Sequence, residues 1–351
     1  MATPPRLARL RLARVQTLAL TAMVPVVGAL VFMGLASPGE PLAGRADLLP
    51  LVLLFITGGL FHVFGFVLNE WADLEVDRAS SDLTHKPLVA GSVSSREAMA
   101  IAVGAAAFAF VPLLLVTRDP VAHVTLALAM VAGAVYDLYG KMAPLDVVLA
   151  GSLTLLLLSG VIASGEFDPA SQRHLVVLAC LVGLQFLQNL FQNAIEGGMK
   201  DADHDAAAGA RTFAAVMGVN VADGNILSGR GFLASGIAIK ATSLTIAGFL
   251  VAYLWAVGGR WLLAIAVVLV GLQATVMLIT LARFMGRRVR FDREALKRSF
   301  SVHEMATFGV TMAALLPVIG VPSFLLVLVV PVLWFLSTNA LLFGRALEPG
   351  V

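Results

Sequence analysis

Long apolar stretches recur along the whole chain and restrict it to a membrane-embedded helical fold. Those that begin at Leu49, His123 and Trp261 each approach the roughly 20 apolar residues that a helix needs to cross a bilayer. Only 13% of the residues are charged, compared with about 25% in an ordinary soluble domain. Because backbone polar groups in lipid must be paired within the protein, we expect an all-α, polytopic transmembrane helix bundle.

The apolar segments predict nine or ten spans. We expect them near residues 15–36, 49–69, 98–117, 121–140, 144–164, 174–197, 238–257, 261–282, 303–319 and 322–343. Pro317 and Pro322 bracket the last break, which is either a loop between two spans or a kink within one long helix. The chain, 1–351, is then a single transmembrane domain. The spacing of its loops suggests two four-helix halves, 15–140 and 144–282.

Basic residues in the short loops predict the orientation of the chain. Arginines at the N-terminus, between residues 6 and 14, and the arginine-rich segment 282–298 fall on the same side of the predicted bundle. The positive-inside rule makes that side cytoplasmic. Lys240, near the start of the seventh span, is expected to extend to the membrane interface or to reach a bound anion. The net charge of only +2 gives no reason to expect nucleic acid as a partner.

The first polar cluster, residues 69–98, follows the second span. Asn69, Asp73 and Asp77 are four residues apart, so on a continuing helix they share nearly one face, with Glu70 beside them. Adjacent carboxylates repel each other, and a divalent cation would relieve that repulsion. The chain has one cysteine, so we expect oxygen ligands, which Mg²⁺ prefers. The alternative is a solvated acidic helix end that pairs with nearby basic side chains.

A second polar cluster, residues 196–218, follows the sixth span. Asp201, Asp203 and Asp205 alternate along the chain, so all three cannot lie on one helical face. We therefore expect the backbone to unwind at the glycine pair 197–198 or in the sequence that follows. Both acidic clusters fall on the predicted cytoplasmic side of a protein with few charges, which favours one shared site over two unrelated loops.

Basic and phenolic side chains accompany the two acidic clusters. Lys86 follows the first cluster, and Lys200 and Arg211 flank the second. Tyr136, Tyr139 and Lys141, after the fourth span, could also hydrogen-bond a phosphate. An interfacial tyrosine with a snorkelling lysine is the alternative for that segment. This pattern of basic residues suits a site in which an anion is held between metal ions and these cations.

Taken together, these motifs resemble the UbiA-type intramembrane prenyltransferase family. The first cluster is similar to that family's N-D-x-x-D-x-x-x-D signature, followed by Lys-Pro-Leu at 86–88 and Gly-x-x-Ser at 91–94. The second cluster is similar to its D-x-D/E-x-D-x-x-x-G-x-K/R pattern, and the Tyr-x-x-Tyr-x-Lys segment at 136–141 also matches. The resemblance extends from span two to span seven. Glu70 stands where the family usually has Asp, and Lys86 stands where Arg is common.

The resemblance implies a helix bundle around a central cavity that binds an isoprenyl diphosphate through two Mg²⁺ ions. It also implies roles for individual residues. The implied metal ligands are Asn69, Glu70, Asp73 and Asp77 for one ion and Asp201 and Asp205, with Asp203 nearby, for the other. The implied diphosphate ligands are Asn69, Lys86, Tyr139, Lys141, Lys200 and Arg211. The implied catalytic residues are Asp73, Asp77, Asp201 and Asp205.

The function that these features predict is transfer of an isoprenyl group from its diphosphate to a lipophilic acceptor, with release of pyrophosphate. Metal ions and cations would stabilise the departing pyrophosphate, and a water-poor cavity would protect the carbocation. We expect an integral membrane protein whose active site faces the cytoplasm. Three alternatives use similar residues: a membrane terpene cyclase or a phosphoribosyl transferase of the same fold, and a transporter of a cation or an organic anion.

Overall fold

The computed structural model describes residues 5–37, 48–79, 83–140, 142–255, 260–344 and 346. The helices in these ranges are α1 (Pro5–Leu12), α2 (Leu18–Ala36), α3 (Leu49–Ala72), α4 (Leu74–Ala79), α5 (Ser95–Phe108), α6 (Phe110–Val116), α7 (Pro120–Tyr139), α8 (Asp146–Ala163), α9 (Gln172–Leu190), α10 (Gly198–Lys200), α11 (Ala202–Ala207), α12 (Phe213–Val216), α13 (Arg230–Trp255), α14 (Arg260–Phe284) and α15 (Arg293–Phe343). A 3-10 turn (Val15–Thr17) precedes α2, and a π-helix (Phe191–Gly197) joins α9 to α10. The strands are β1 (Asn220–Ala222), β2 (Asn225–Leu227) and β3 (Arg288–Arg290).

Nine helical segments in the described part of the chain are long and apolar enough to cross a bilayer. They are Val15–Ala36, Leu49–Ala72, Ser95–Val116, Pro120–Tyr139, Asp146–Ala163, Gln172–Lys200, Arg230–Trp255, Trp261–Phe284 and Arg293–Phe343. The predicted all-α, polytopic bundle is therefore confirmed, and the protein is a multi-pass membrane protein.

The last helix, α15, is divided into two apolar segments. Its 51 residues are broken at Gly320, whose φ of 72° and ψ of 167° lie outside helical geometry. Next to the break, Val318 packs against Gly34 at the far end of α2. Further along, Trp334 Nε1 donates a hydrogen bond to Val15 O, 2.7 Å away, just before α2 begins. The second half of α15 therefore runs back along α2, which agrees with the ten-span alternative.

Polar cap residues fix where several spans begin. The side chains of Ser94, Asp119 and Asp292 accept hydrogen bonds from first-turn backbone amides of α5, α7 and α15, at 3.2, 2.8 and 3.0 Å. These bonds satisfy amides that have no partner inside the helix. Pro120 occupies the first position of α7, where its missing N–H is not needed.

The centre of the bundle is formed where α2 packs closely on α8. A methyl group added at Gly28 would lie 2.5 Å from Leu157 O, and one added at Gly160 would collide with the backbone of Pro25. Such close approach of two backbones requires small residues, which are common at helix contacts in membranes. The core around α2 therefore depends on glycine at both contact points.

The three strands form a small antiparallel sheet in the order β1-β2-β3. Ile226, in the middle strand, is fully buried and pairs with Val221 on one side and Val289 on the other. The sheet joins the loop after the sixth membrane segment to the loop after the eighth. It therefore holds the segment after the second acidic cluster close to the start of α15.

Candidate active site

A cavity of about 660 Å³ lies where several spans end, and both acidic clusters contribute to its wall. The first cluster contributes Asn69, Asp73, Asp77 and Lys86. The second cluster contributes Lys200, Asp201 and Asp205. Two segments that are far apart in the sequence thus meet at one cavity at the polar end of the bundle.

The first acidic motif keeps its side chains on one face across a small break in the helix. α3 ends at Ala72 and α4 begins at Leu74. Asp73 N still donates to Asn69 O at 2.9 Å, and Asp77 N donates to Asp73 O at 2.9 Å. Because these are helical i to i−4 bonds, the four-residue spacing projects all three polar side chains to the same side, as predicted.

Glu70 lies one residue further around the helix and is a counter-ion to two basic side chains. It is 5% exposed and does not line the cavity. Its carboxylate lies 2.5 Å from Arg14 Nη2 and 3.2 Å from Lys86 Nζ. Lys86 Nζ also lies 2.6 Å from Asp77 Oδ2. Two carboxylates and two cations therefore neutralise each other here. Glu70 is a counter-ion in this arrangement, and its implied metal-binding role stays a prediction.

The backbone does not unwind at residues 197–198, which are helical, but the helix breaks in the sequence that follows, at Asp201, where φ is −102° and ψ is 10°. The chain widens into the π-helix, which inserts an extra residue in a turn, and then continues as short helices. Asp201 N donates to Gly197 O at 3.0 Å, and Asp205 N donates to Asp201 O at 2.8 Å. Asp201 and Asp205 therefore share a face. Gly198 leaves room for Ala214, whose side chain occupies the place of a Cβ there.

Asp203 lies between these two aspartates in sequence and outside the cavity wall. Its Oδ1 lies 2.5 Å from Nη2 of Arg293, at the start of α15. Arg293 Nε also donates to Lys200 O at 3.3 Å. Asp203 thus holds the second motif to α15, while its neighbours face the cavity.

The remaining implied diphosphate ligands are placed differently from the expectation. Tyr139 is 62% exposed and does not line the cavity, whereas Tyr136, one turn earlier on α7, does. Arg211 is also outside the cavity wall, although its carbonyl accepts a hydrogen bond from Ala143 N at 2.7 Å. Lys141 lies outside the described residues.

Several cavity-lining residues were not predicted from the sequence. They are Arg14, His85, Asp137, Asp146, His204, Arg293 and Lys297. Arg14 was interpreted only as an orientation signal. Asp137 lies within the tyrosine segment and Asp146 follows it, at the same membrane boundary as the two acidic clusters. That shared depth is a signal that could have identified them.

The donor set of the cavity suits Mg²⁺ whose coordination is completed by waters and phosphate oxygens. Among the described residues, no group of three or more acidic, histidine or cysteine side chains forms a preassembled metal site. Each motif instead presents two aspartates on one helical face. Mg²⁺ is commonly bound by one or two carboxylates, with waters and phosphate oxygens completing its octahedron. These residues therefore fit Mg²⁺ in kind and in number.

The sequence from residue 22 to residue 290 matches the model of the UbiA prenyltransferase family. The chain belongs to this family. The match includes both acidic motifs and the tyrosine segment between them. No curated protein sequence matches the chain significantly.

Solved structures of UbiA homologues have the same fold. The apo UbiA homologue from Aeropyrum pernix K1 is 19% identical, with a TM-score of 0.63 over 86% of this chain and 97% of its own. The Archaeoglobus fulgidus homologue bound to GPP and Mg²⁺ is 18% identical, with a TM-score of 0.60 over 87% of this chain and 99% of its own. A structure of digeranylgeranylglyceryl phosphate synthase is 16% identical, with a TM-score of 0.61 over 90% of this chain and 99% of its own.

This UbiA family member also contains a buried charged cluster behind the cavity wall. Lys240 on α13 is 1% exposed, so it neither extends to the interface nor lines the cavity. Its Nζ lies 3.2 Å from Gln188 Oε1, 3.1 Å from Thr307 Oγ1 and 4.0 Å from the centre of the Phe191 ring. Glu196, in the π-helix, is 2% exposed and lies near Lys240. The cluster therefore ties the π-helix to α13 and α15.

Proposed function

We propose that the protein transfers an isoprenyl group from an isoprenyl diphosphate to a lipophilic acceptor in a Mg²⁺-dependent reaction. One observation carries this proposal. Asp73 and Asp77 from one motif and Asp201 and Asp205 from the other line a single cavity at the polar end of an apolar bundle. A diphosphate there would leave its hydrocarbon chain among apolar helices. The family to which the chain belongs supports this reaction class.

The chain's own residues would bind and orient the diphosphate. The proposed oxygen ligands of Mg²⁺ are Asn69, Asp73, Asp77, Asp201 and Asp205. When bound, Mg²⁺ supplies positive charge that stabilises the departing pyrophosphate. Lys86 and Lys200, which line the same cavity, would add fixed positive charge to that anion. Tyr136, in place of Tyr139, would donate a hydrogen bond from its hydroxyl group to a phosphate oxygen.

The solved homologues support a diphosphate substrate. Structures of the Archaeoglobus fulgidus homologue hold GPP or DMAPP together with Mg²⁺. Both are prenyl diphosphates, so a compound of this class suits the cavity of the present chain. The mixed wall of acidic and basic side chains is what a metal-bridged diphosphate needs.

Pyrophosphate release tests the proposal. We expect purified protein in liposomes to release pyrophosphate from a prenyl diphosphate only when Mg²⁺ and a suitable lipophilic acceptor are both present. The measurement uses GPP and longer prenyl diphosphates, with EDTA as the metal-free control. Release of pyrophosphate with a cyclised product and no acceptor would identify a terpene cyclase. If no prenyl diphosphate is consumed under any condition, the proposed function is wrong.

Glu70 offers a test of the ion pairs beside the cavity. Glu70→Asp keeps the charge and should retain most of the activity. Glu70→Gln leaves Arg14 and Lys86 without their shared carboxylate. Lys86 then loses one of the two carboxylates that hold its ammonium group at the cavity wall. Since a hydrogen bond to a charged group contributes about 1.5–3 kcal/mol, we expect Glu70→Gln to lower kcat/KM by at least about tenfold. Equal kcat/KM for the two variants would contradict this role.

Cysteine labelling tests whether the cavity faces the cytoplasm, as the arginine distribution predicts. Ser92 lies in the exposed loop after the second span, and Ala170 lies in the exposed loop after the fifth. With the buried Cys180 replaced by alanine, Ser92→Cys should react with an impermeant thiol reagent only in inverted vesicles. Ala170→Cys should react only in right-side-out vesicles. Labelling of both from the same side would refute the assigned topology.

A further inference from the structure

Asp137 lies in the last turn of α7 and lines the cavity beside the first acidic motif. The amide of Asn69 hydrogen-bonds its carboxylate, and the charge of Asp73 lies close by. Its Oδ2 atom is buried and receives no hydrogen bond from any described residue. A carboxylate oxygen at a cavity wall, next to two proposed metal ligands, is thus left without a donor.

The surroundings of Asp137 are unfavourable for a carboxylate that serves only packing. Asp73 repels it, and it lies at the C-terminal end of a helix, where the helix dipole disfavours negative charge. No basic side chain within the described ranges forms an ion pair with it. A half-buried carboxylate with one amide donor and, among the described residues, no cation beside it is costly. A cation that contacts both carboxylates would remove the repulsion and satisfy Oδ2.

We propose that Asp137 is a further carboxylate ligand of the divalent cation bound by Asn69 and Asp73. The inference rests on the proposed function, because it assumes that the first motif holds that cation. It adds a ligand from α7 to a site otherwise built on α3 and α4. Hard oxygen ligands of this kind select Mg²⁺ or Mn²⁺. The additional negative charge should let the site hold a cation before any diphosphate arrives.

Direct metal binding tests the inference without turnover. Mn²⁺ is titrated into the purified, substrate-free protein, and its binding is measured as the loss of the EPR signal of the free ion. We expect Asp137→Asn, which keeps the shape of the side chain, to weaken Mn²⁺ binding by about tenfold or more, the size of effect typical for groups that support a metal site. The matched control is Glu75→Gln, because Glu75 lies in the same motif but is 84% exposed and pairs with Arg78. That control should bind Mn²⁺ like the unmodified protein.

Stability separates a ligand from a packing residue. In metal-free buffer we expect Asp137→Asn to melt at a higher temperature than the unmodified protein, because the repulsion from Asp73 is lost. Added Mg²⁺ should then raise the melting temperature of Asp137→Asn less than it raises that of the unmodified protein. A residue needed only for packing would instead lower the melting temperature in both conditions, and that result would overturn the inference. Asp137→Ser provides the same comparison with the carboxylate removed entirely.

The outcomes distinguish this inference from the proposed function. If the unmodified protein turns over a prenyl diphosphate but Asp137→Asn binds Mn²⁺ with unchanged affinity, the role of Asp137 is refuted and the function stands. If Asp137→Asn weakens Mn²⁺ binding but no prenyl diphosphate is consumed by the unmodified protein, the metal site stands and the function is refuted. In the active enzyme, Asp137→Asn should also need about tenfold more Mg²⁺ for half-maximal rate.

Discussion

Asp73→Ala and Asp201→Ala should each lower the rate of pyrophosphate release at least about 100-fold, with little change in folding. Each substitution removes a carboxylate that lines the cavity at a helix end, where the side chain is not a packing group. Loss of one electrostatic contact to a developing charge typically costs about 10²–10³ in rate. The rate is measured at saturating prenyl diphosphate and Mg²⁺, and folding by elution profile and melting temperature in detergent.

Glu75→Ala is the control for both variants. Glu75 lies between Asp73 and Asp77 in sequence, but it points away from the cavity and is exposed. Its removal takes one negative charge from the same membrane boundary, so activity close to that of the unmodified protein is expected. If Asp73→Ala and Asp201→Ala both keep more than about a tenth of the activity, the two motifs do not act through metal-bound diphosphate.

The fold and the first motif could be predicted because both depend on short-range periodicity. Apolar length alone identifies the spans, since lipid leaves the backbone no alternative to a helix. Asn69, Asp73 and Asp77 share a face because their spacing is close to one helical turn, and the break at Asp73 does not interrupt the hydrogen bonds that keep this register.

The second motif shows where such reasoning fails. The alternation of Asp201, Asp203 and Asp205 predicts an unwound segment, but the helix breaks only at Asp201 and resumes at Ala202, which sends Asp203 to a different partner. That partner, Arg293, is distant in sequence and was assigned only to the orientation of the chain. A π-helix also rotates the residues that follow it about the helix axis. The residue spacing of a regular α-helix does not include that rotation.

Spacing also cannot decide between Tyr136 and Tyr139. Both lie near the C-terminal end of α7. The choice depends on how that helix is rotated against α3 and α8, which only packing determines. The same limitation applies to Glu70. Its position beside Asn69 is evident from the sequence, but its pairing with Arg14 depends on where the N-terminal segment lies. The metal role implied for Glu70 therefore came from pattern alone.

Lys240→Met should destabilise the protein strongly although it leaves the cavity wall unchanged. Lys240 is buried among α9, α13 and α15, and its charge lies close to the carboxylates of Glu196 and Glu304. Glu196 is itself buried and has a side-chain interaction with Glu304. Removing one partner from a buried charged group leaves the other uncompensated and typically costs about 3–5 kcal/mol. A large fall in the melting temperature in detergent is the expected result.

A second substitution identifies the cause of that loss. Glu196→Gln combined with Lys240→Met removes charge of both signs, and replacing a buried pair by neutral groups is often close to neutral for stability. The double variant should therefore be more stable than Lys240→Met alone, and the difference measures the coupling between the two side chains. Lys297→Met, which affects a partly exposed lysine paired with Glu294 at 3.1 Å, should cost less than about 1 kcal/mol. If the double variant is no more stable than Lys240→Met, Lys240 stabilises the protein through its packing on Phe191 and its polar contacts. In that case Lys240 does not stabilise the charge of Glu196.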